Sequence, residues 1–454
     1  MASRAREAVA PVYLFLCLIA GGSAQGIWAN MVLQLIGIAL IAWAATARDA
    51  PALAPPARWL FGIILAGLAL VALQLIPLPA SVWPSLGGRA ALARDYALLG
   101  TPIPALPVSL APYDTLSALM ALLPALGMLC AIVRLQAYRA SWLVAALIAA
   151  TFCGILLGTL QVSSGDPERS SWYLFDEANF GVATGFFANA NHMATLLVVS
   201  LPFLTALVAA GRRLGGQRYS ALLAVCAGAA LVVVVGIILN QSMAGYLLAL
   251  PVLAASAAIL MPSASKLRGV AILLSIVGLA AAFGALELSS IRGQAFNAQA
   301  ATSVTSREEI LKTTVAATRN FLPFGSGIGT FRRVYDLYED HDRVTRTYVV
   351  HGHNDYAELA LETGLPGIAI LVAFLLWWGA AVRRAWRLAD ASPYVRAASI
   401  ASAAILVHSL VDFPLRTAAI SAAFAMCLAL LADRRAPLAS VKSDLRPTRH
   451  IVLK

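Results

Sequence analysis

Apolar runs long enough to cross a bilayer alternate with short polar segments along almost the whole chain. They lie at 11–29, 31–47, 59–77, 113–133, 141–161, 188–210, 219–239, 243–262, 269–287, 366–382, 397–412 and 416–432. Each approaches the roughly 20 residues that an α-helix needs to span the hydrocarbon core. Backbone in lipid must satisfy its own N–H and C=O groups, so the runs predict helices. The expected fold is an all-α polytopic membrane protein with about 12 transmembrane helices. The first run follows Arg4 and Arg6 and ends in small residues, as a signal peptide does. The second run begins after almost no polar spacer, so the first is read as a retained helix.

Basic residues mark one side of this pattern. Arg4 and Arg6, Arg48 and Arg58, Arg134 and Arg139, Arg212, Arg213 and Arg218, Lys266 and Arg268, Arg383, Arg384 and Arg387, and Arg434 and Arg435 fall in every second loop. The positive-inside rule then puts both termini in the cytoplasm. The polar segments 78–112, 162–187 and 288–365 fall on the opposite, periplasmic face. From Glu287 to Glu362, ten of the chain's 22 acidic residues meet eight Lys and Arg, so the longest loop has no cytoplasmic charge excess. Its aromatic residues and helical patterns predict a folded, helical loop.

Composition sharpens this reading. Of 454 residues, 60% are hydrophobic and only 12% charged. Soluble domains carry about 25% charged residues, so a soluble fold is excluded. The net charge of +11 sits in short clusters between apolar runs, which argues against a nucleic-acid partner. Cys17, Cys130, Cys153, Cys226 and Cys427 lie inside apolar runs at irregular spacing and predict neither a disulfide framework nor a metal site.

The long loop holds the candidate chemistry. Ser306 and Glu309 form an S-x-x-E capping box, which predicts a helix from Ser306 to about Asn320. Arg307 would sit in its first turn, where the dipole disfavours a cation unless both serve an anion such as phosphate. A solvated surface arginine is the alternative. The segment Pro323 to Phe331, PFGSGIGTF, suits either a structural turn or a phosphate cradle. In HGHNDYAELALETGLPG, residues 351–367, Asn354 or Asp355 can cap a short helix ending at Gly364, with Pro366 opening the next span. His353 then lies at a helix start near the membrane surface, where an imidazole can take a proton. His351, His353 and Asp355 alternate, yet no second ligand cluster completes a metal site.

Polar residues also mark three span edges on this same face: Asn189, Asn191 and His192; Asn240, Gln241 and Ser242; His408 and Asp412. Such groups face a cavity or a neighbouring helix. A polar cavity roofed by the long loop is expected.

Together these residues resemble a known family. His353-Asn354, nine residues, then Gly364-x-x-Gly367 is similar to the H-N-x9-G-x-x-G signature of bacterial O-antigen ligases and related O-antigen and exopolysaccharide polymerases. SREEIL with PFGSGIGTF, FFANANHMATLL, and HSLVDFPLR resemble further family segments, the last those of polymerase-type members. The resemblance implies a C-type membrane glycosyltransferase fold in the bacterial inner membrane. It implies a metal-independent, inverting transfer without cofactor. The donor would be a glycan on undecaprenyl diphosphate; the acceptor would be lipid A-core or the growing glycan, at the periplasmic face. His353 matches the family's acceptor-activating histidine and Arg307 its diphosphate-binding arginine. Asn354, Asn191, His192 and His351 are the further substrate-binding candidates. Membrane lipids and polysaccharide assembly proteins complete the expected partners.

The chain divides on this basis into 1–180, N-terminal spans and loops; 181–432, the ligase-like region with loop 288–365; and 433–454, a cytoplasmic tail. One family position departs. A second arginine, expected in Ser-Arg-x-Gly, is replaced by Met243 in Gln241-Ser242-Met243-Ala244-Gly245. Arg292, Arg319 and Arg416 are candidate substitutes by location. The competing functions are a polysaccharide transporter or flippase and a non-catalytic assembly protein of the same fold.

The charge pattern generates a topology test. We predict that a membrane-impermeant thiol reagent applied from outside labels a single cysteine at Asp340→Cys and spares one at Lys442→Cys. The reverse pattern would invert the orientation.

Overall fold

The computed structural model describes residues 2–262, 265–291, 298–340 and 349–433. Its helices are α1 (Ala2–Ala20), α2 (Ile27–Thr46), α3 (Pro55–Gln74), α4 (Ala90–Leu98), α5 (Pro112–Ala121), α6 (Leu123–Leu129), α7 (Ala140–Val162), α8 (Ala190–Gly211), α9 (Gly216–Asn240), α10 (Met243–Leu260), α11 (Lys266–Ile291), α12 (Ala298–Phe321), α13 (Phe331–Tyr335), α14 (Asp355–Arg387), α15 (Pro393–His408) and α16 (Ala418–Ala432). Among the described residues the only sheet is the antiparallel pair β1 (Pro77–Leu78) and β2 (Leu106–Pro107). The fold is all-α, as expected. The candidate cation Arg292 and the tail with Arg434 and Arg435 lie outside the described residues.

Each of the twelve expected spans coincides with a helix over most of its length, and the first, 11–29, is broken at 21–26. By length and composition, eight stretches among the described residues can cross a membrane: α2, α3, the α5–α6 stretch to Arg134, α7, the α8 stretch to Leu214, α9, α10 and α14. The remaining four positions are α1, α11, α15 and α16. With 16 and 15 residues, α15 and α16 fall short of a full span. They lie inside the bundle, where α15 packs on α8 and α16, and α16 on α1 and α6. Small residues let these backbones approach: Ala397, Ala398 and Ala401 on α15, and Ala419, Ala422 and Ala423 on α16, are all buried. Meanwhile Leu35, Leu65, Val225, Leu231, Leu273 and Ile276 stay exposed on α2, α3, α9 and α11. Exposed aliphatics in such number make sense only against lipid.

The first helix differs from expectation: it covers Ala2–Ala20 rather than 11–29. Arg6 can join it because its guanidinium donates to the Leu135 carbonyl at 2.7 Å. The chain leaves at Gly21, whose carbonyl accepts from Ala419 N–H at 3.0 Å, so this exit is pinned to the start of α16.

The expected start at Ser306 is also corrected. α12 begins at Ala298, so Ser306 lies inside the helix and Arg307 is well past the first turn. Alanines and polar residues of adequate helix propensity upstream extend it beyond the S-x-x-E signal. The reading of Arg307 as a cation at a helix N-terminus therefore fails; its setting is different, as described below.

The glycine segment at 323–331 is a structural turn. Ser326 N–H donates to Leu361 O (3.0 Å), Gly327 N–H to Glu362 O (2.9 Å) and Ile328 N–H to the Gln74 side chain (3.0 Å). Gln74, at the end of α3, also donates to Glu362 O at 2.9 Å. These N–H groups are engaged within the fold and cradle no anion. Arg89, fully buried, donates to the carbonyls of Gly87, Val108 and Gly325 and lies over the Phe321 ring. Segment 75–111, α12 and the glycine turn are thereby held as one cap over the bundle end.

Asn354 caps α14 by accepting from Tyr356 and Ala357 N–H groups, as its sequence position predicts. The helix kinks at Gly364, where φ is +59°. A Cβ there would stand 2.1 Å from the Pro323 carbonyl oxygen. Gly364→Ala should therefore strain the backbone and push the glycine turn away. We predict a loss of more than about 2 kcal/mol of stability, read as a lower melting temperature in detergent; an unchanged value would refute the contact.

Candidate functional site

One end of the bundle gathers polar side chains from six segments. The start of α8 brings Asn191, His192 and Thr195. The α9–α10 junction brings Ser242. α12 brings Arg307. The loop before α14 and its first turns bring His351, His353, Asp355, Glu358 and Glu362. α15 ends in His408, and the loop 409–417 supplies Asp412, Phe413 and Arg416.

Asp412 is the centre of one network. It is fully buried. His353 Nδ1 lies 3.4 Å from its Oδ1, and Arg307 Nη2 lies 3.5 Å from its Oδ2. Asn191 Nδ2 donates to Oδ2, and the Phe413 N–H donates to Oδ1 at 2.9 Å. Burial alone would raise the Asp412 carboxyl. The His353 imidazole 3.4 Å away and the Arg307 charge, helped by His192, outweigh it and hold the group well below the usual carboxylate range. Asn191 in turn accepts from Ser242 Oγ at 2.7 Å, tying α10 to the site. Beneath it, Thr195 Oγ1 and His408 Nδ1 are 2.8 Å apart.

Glu358 is the centre of a second network. It is buried, and its carboxylate receives His351 Nδ1 (3.1 Å), the Gly352 N–H (3.0 Å) and Arg416 Nη2 (3.1 Å). Arg416 also lies 3.4 Å from Glu362 and 3.5 Å from Asp355. The Ser409 hydroxyl donates to Asp355 at 2.8 Å. One guanidinium thus serves three carboxylates, so Arg416, one of the candidate substitutes named from the sequence, is engaged within this network. Arg319, the other described substitute, is exposed about 18 Å along α12 from Arg307, by helix rise. Met243 opens α10 directly after Ser242 and so begins beside the Asn191 contact.

Phe413 separates the two networks. Its ring centroid is 4.5 Å from that of His351, 5.0 Å from His353 and 5.1 Å from His192. His353 has φ of +47°, a left-handed conformation that a non-glycine residue rarely adopts. This local strain turns its imidazole away from His351 and toward Asp412. Such outliers persist where the surroundings over-determine them; here the Asn354 cap and the Asp412 contact do so.

The candidate residues taken from the sequence thus divide. His353, Arg307 and Asn191 converge on Asp412. His351 belongs to the Glu358 network. The Asn354 amide is occupied by capping α14 and by donating to the Leu410 carbonyl at 2.9 Å. His192 is buried between Phe187 and Phe413. His353 and Arg307 each retain 27% side-chain exposure, so both contact Asp412 and still face open space. Sequence reasoning placed Asp412 at a span edge without giving it a role. Its i, i+4 spacing from His408 is the signal that could have drawn it in. Glu358 gave no signal beyond helix patterning. Among the described residues no group of three or more His, Cys, Asp or Glu could hold a metal.

Lipid-facing helices around a buried polar centre at one bundle end define a multi-pass integral membrane protein. Within it, residues 228–372 match the family model described as O-antigen ligase. The match supports assignment to the O-antigen ligase family and a role in membrane glycan ligation or polymerisation. It runs from α9 into α14 and includes Met243, Arg307, His351, His353 and Asn354. No curated protein matches the chain.

The Asp412 network generates a stability test. A depressed carboxyl stabilises the fold fully above its unfolded pKa of about 3.9, and this contribution is lost as pH falls through the lower folded value. We predict that Asp412→Asn lowers the melting temperature at pH 7 and that the gap from wild type narrows as pH drops below about 4. A gap independent of pH would show that Asp412 is not an ionised partner.

Proposed function

We propose that the protein is a membrane glycosyltransferase that moves a glycan from undecaprenyl diphosphate to an acceptor sugar hydroxyl at the periplasmic face. The observation that carries this reading is the shared counter-ion. A candidate base, His353, and a candidate anion-binding cation, Arg307, meet the same buried Asp412 carboxylate. Both remain partly exposed beside it.

The chemistry follows from that arrangement. With Nδ1 buried 3.4 Å from the Asp412 carboxylate, Nε2 is the ring nitrogen of His353 left to act as the base. The acceptor hydroxyl adds to the anomeric carbon as its proton passes to Nε2. The bond from that carbon to the carrier phosphate breaks, and the lipid diphosphate leaves with the electron pair. A single displacement inverts the anomeric centre. Asp412 stabilises the imidazolium that forms, as a buried carboxylate does for a catalytic histidine. Arg307 keeps guanidinium N–H groups beyond its Asp412 contact, enough to bind a phosphate oxygen pair. The leaving diphosphate needs charge stabilisation rather than a proton, and the Arg307 guanidinium is placed to supply it.

The carrier also needs an apolar berth. A cavity of about 380 Å³ between α3, α6, α14 and α16 is lined almost wholly by aliphatic and aromatic carbon. Ile328, Leu359, Thr363 and Leu415 form part of its wall. Leu359 and Leu415 adjoin Glu358 and Arg416 in sequence, so the cavity runs up to the polar end of the bundle. It suits a section of polyprenyl chain. Met243 favours the non-catalytic alternative, since its position lacks the family's cation. Transfer activity separates the two.

Loss of the base should cost about 10²–10⁴-fold in turnover. We predict that purified His353→Ala shows this loss with folding and donor binding retained. His351→Ala should affect turnover far less and stability more, because it exposes the Glu358–Arg416 cluster. Near-normal transfer by His353→Ala would remove it as the base, and no transfer by wild type with any lipid-linked glycan would favour the assembly reading.

A further inference from the structure

The opposite end of the bundle carries a second apolar groove that the transfer reaction does not use. It lies between α10, α11, α14 and α15, with a volume of about 510 Å³. Its walls include Leu248, Val252, Ile276 and Leu279. Trp378, Arg383 and Trp386 line its α14 side. The helix directions fix which end this is. α14 and α15 carry Asp355 and His408 at the active end, so Arg383, Trp386 and Arg396 sit at the other.

Basic residues gather at the tryptophan end of the groove: Arg383 lines it, and Arg268 and Arg396 pack on the Trp386 ring. Arg268, at the start of α11, is 5% exposed, and its guanidinium stands 4.7 Å from the Trp386 ring centroid. Its Nη2 has no hydrogen-bond partner among the described residues. Arg396 lies 5.9 Å from the same ring, with its guanidinium donating to the Ala385 and Leu388 carbonyls. Arg383 is exposed on the groove wall. Both tryptophans are anchored through their indole N–H, Trp378 to Ser402 Oγ (3.0 Å) and Trp386 to Ser399 Oγ (2.9 Å). In the segments 205–220, 261–280 and 376–404 the only acidic residue is Asp390.

A buried guanidinium with an unmet N–H is costly without an anion. Placed at the head of an apolar groove between lipid-facing helices, it fits one class of ligand. We propose that this groove binds an anionic glycerophospholipid, its acyl chains along Val252, Ile276 and Leu279 and its phosphate at Arg268 and Arg383. Basic pockets between transmembrane helices recognise lipid head groups in this way. Tryptophan at the rim suits the interface between acyl chain and head group. The site is separate from the Asp412 centre and does not depend on the transfer reaction.

The test uses the full-length protein in detergent micelles doped with phosphatidylglycerol or phosphatidylcholine, read by thermal shift and native mass spectrometry. Phosphatidylglycerol should raise the melting temperature and remain bound; phosphatidylcholine and inorganic phosphate should do neither. Arg383→Gln, on an exposed position that leaves folding intact, should weaken phosphatidylglycerol binding about five-fold, the factor for one lipid-facing cation. Arg268→Gln should weaken it further. Equal binding of phosphatidylcholine, equal stabilisation by inorganic phosphate, or an unchanged Arg383→Gln would each overturn the proposal.

Discussion

A carboxylate buried in a membrane protein is tolerable only if donors surround it, and Asp412 sets the shape of the active end through that demand. It draws in an imidazole, a guanidinium, a carboxamide and a backbone N–H, each from a different segment. The three side chains come from segments far from Asp412 in sequence, while the N–H is that of the next residue, Phe413. Their convergence positions α8 against the loop after α15, and α12 against both. The left-handed backbone at His353 belongs to the same constraint, because a relaxed backbone there would turn the ring elsewhere.

The surrounding cap is built to hold those donors still. Gln74 joins the end of α3 to Glu362 and to the glycine turn. Arg89 joins segment 75–111 to Gly325 and Phe321. The kink at Gly364 lets α14 begin in the polar cap and continue as an apolar helix. Most of these contacts run from a side chain to a backbone group, which fixes the backbone of the cap directly.

Much of this could be read from the residues. Apolar runs gave the helices because lipid allows little else. The Asn354 cap, the break at Gly364 and the helical restart at Pro366 followed from local chemistry. Three polar span edges pointed to one place, and Asn191, Ser242 and Asp412 do meet, in a buried hydrogen-bonded cluster. The failures were of two kinds. The start of α12 was misplaced because a capping signal was trusted over the helix-forming residues before it. The networks were hidden because pairing across 105 or 221 residues leaves no mark in local pattern. Thus Arg307 was singled out for a dipole it does not feel, and Arg416 was named a candidate by location alone, with no hint of the three carboxylates around it.

Two histidines separated by one glycine would ordinarily be expected to behave as a pair. The Phe413 ring prevents this. It stands against both imidazoles, so a proton on one is not passed through a hydrogen bond to the other. The loop therefore works as two insulated circuits on a common board, one wired through Asp412 and one through Glu358. Sequence drift in the Glu358 circuit can retune the rigidity of the cap while leaving the Asp412 circuit in register.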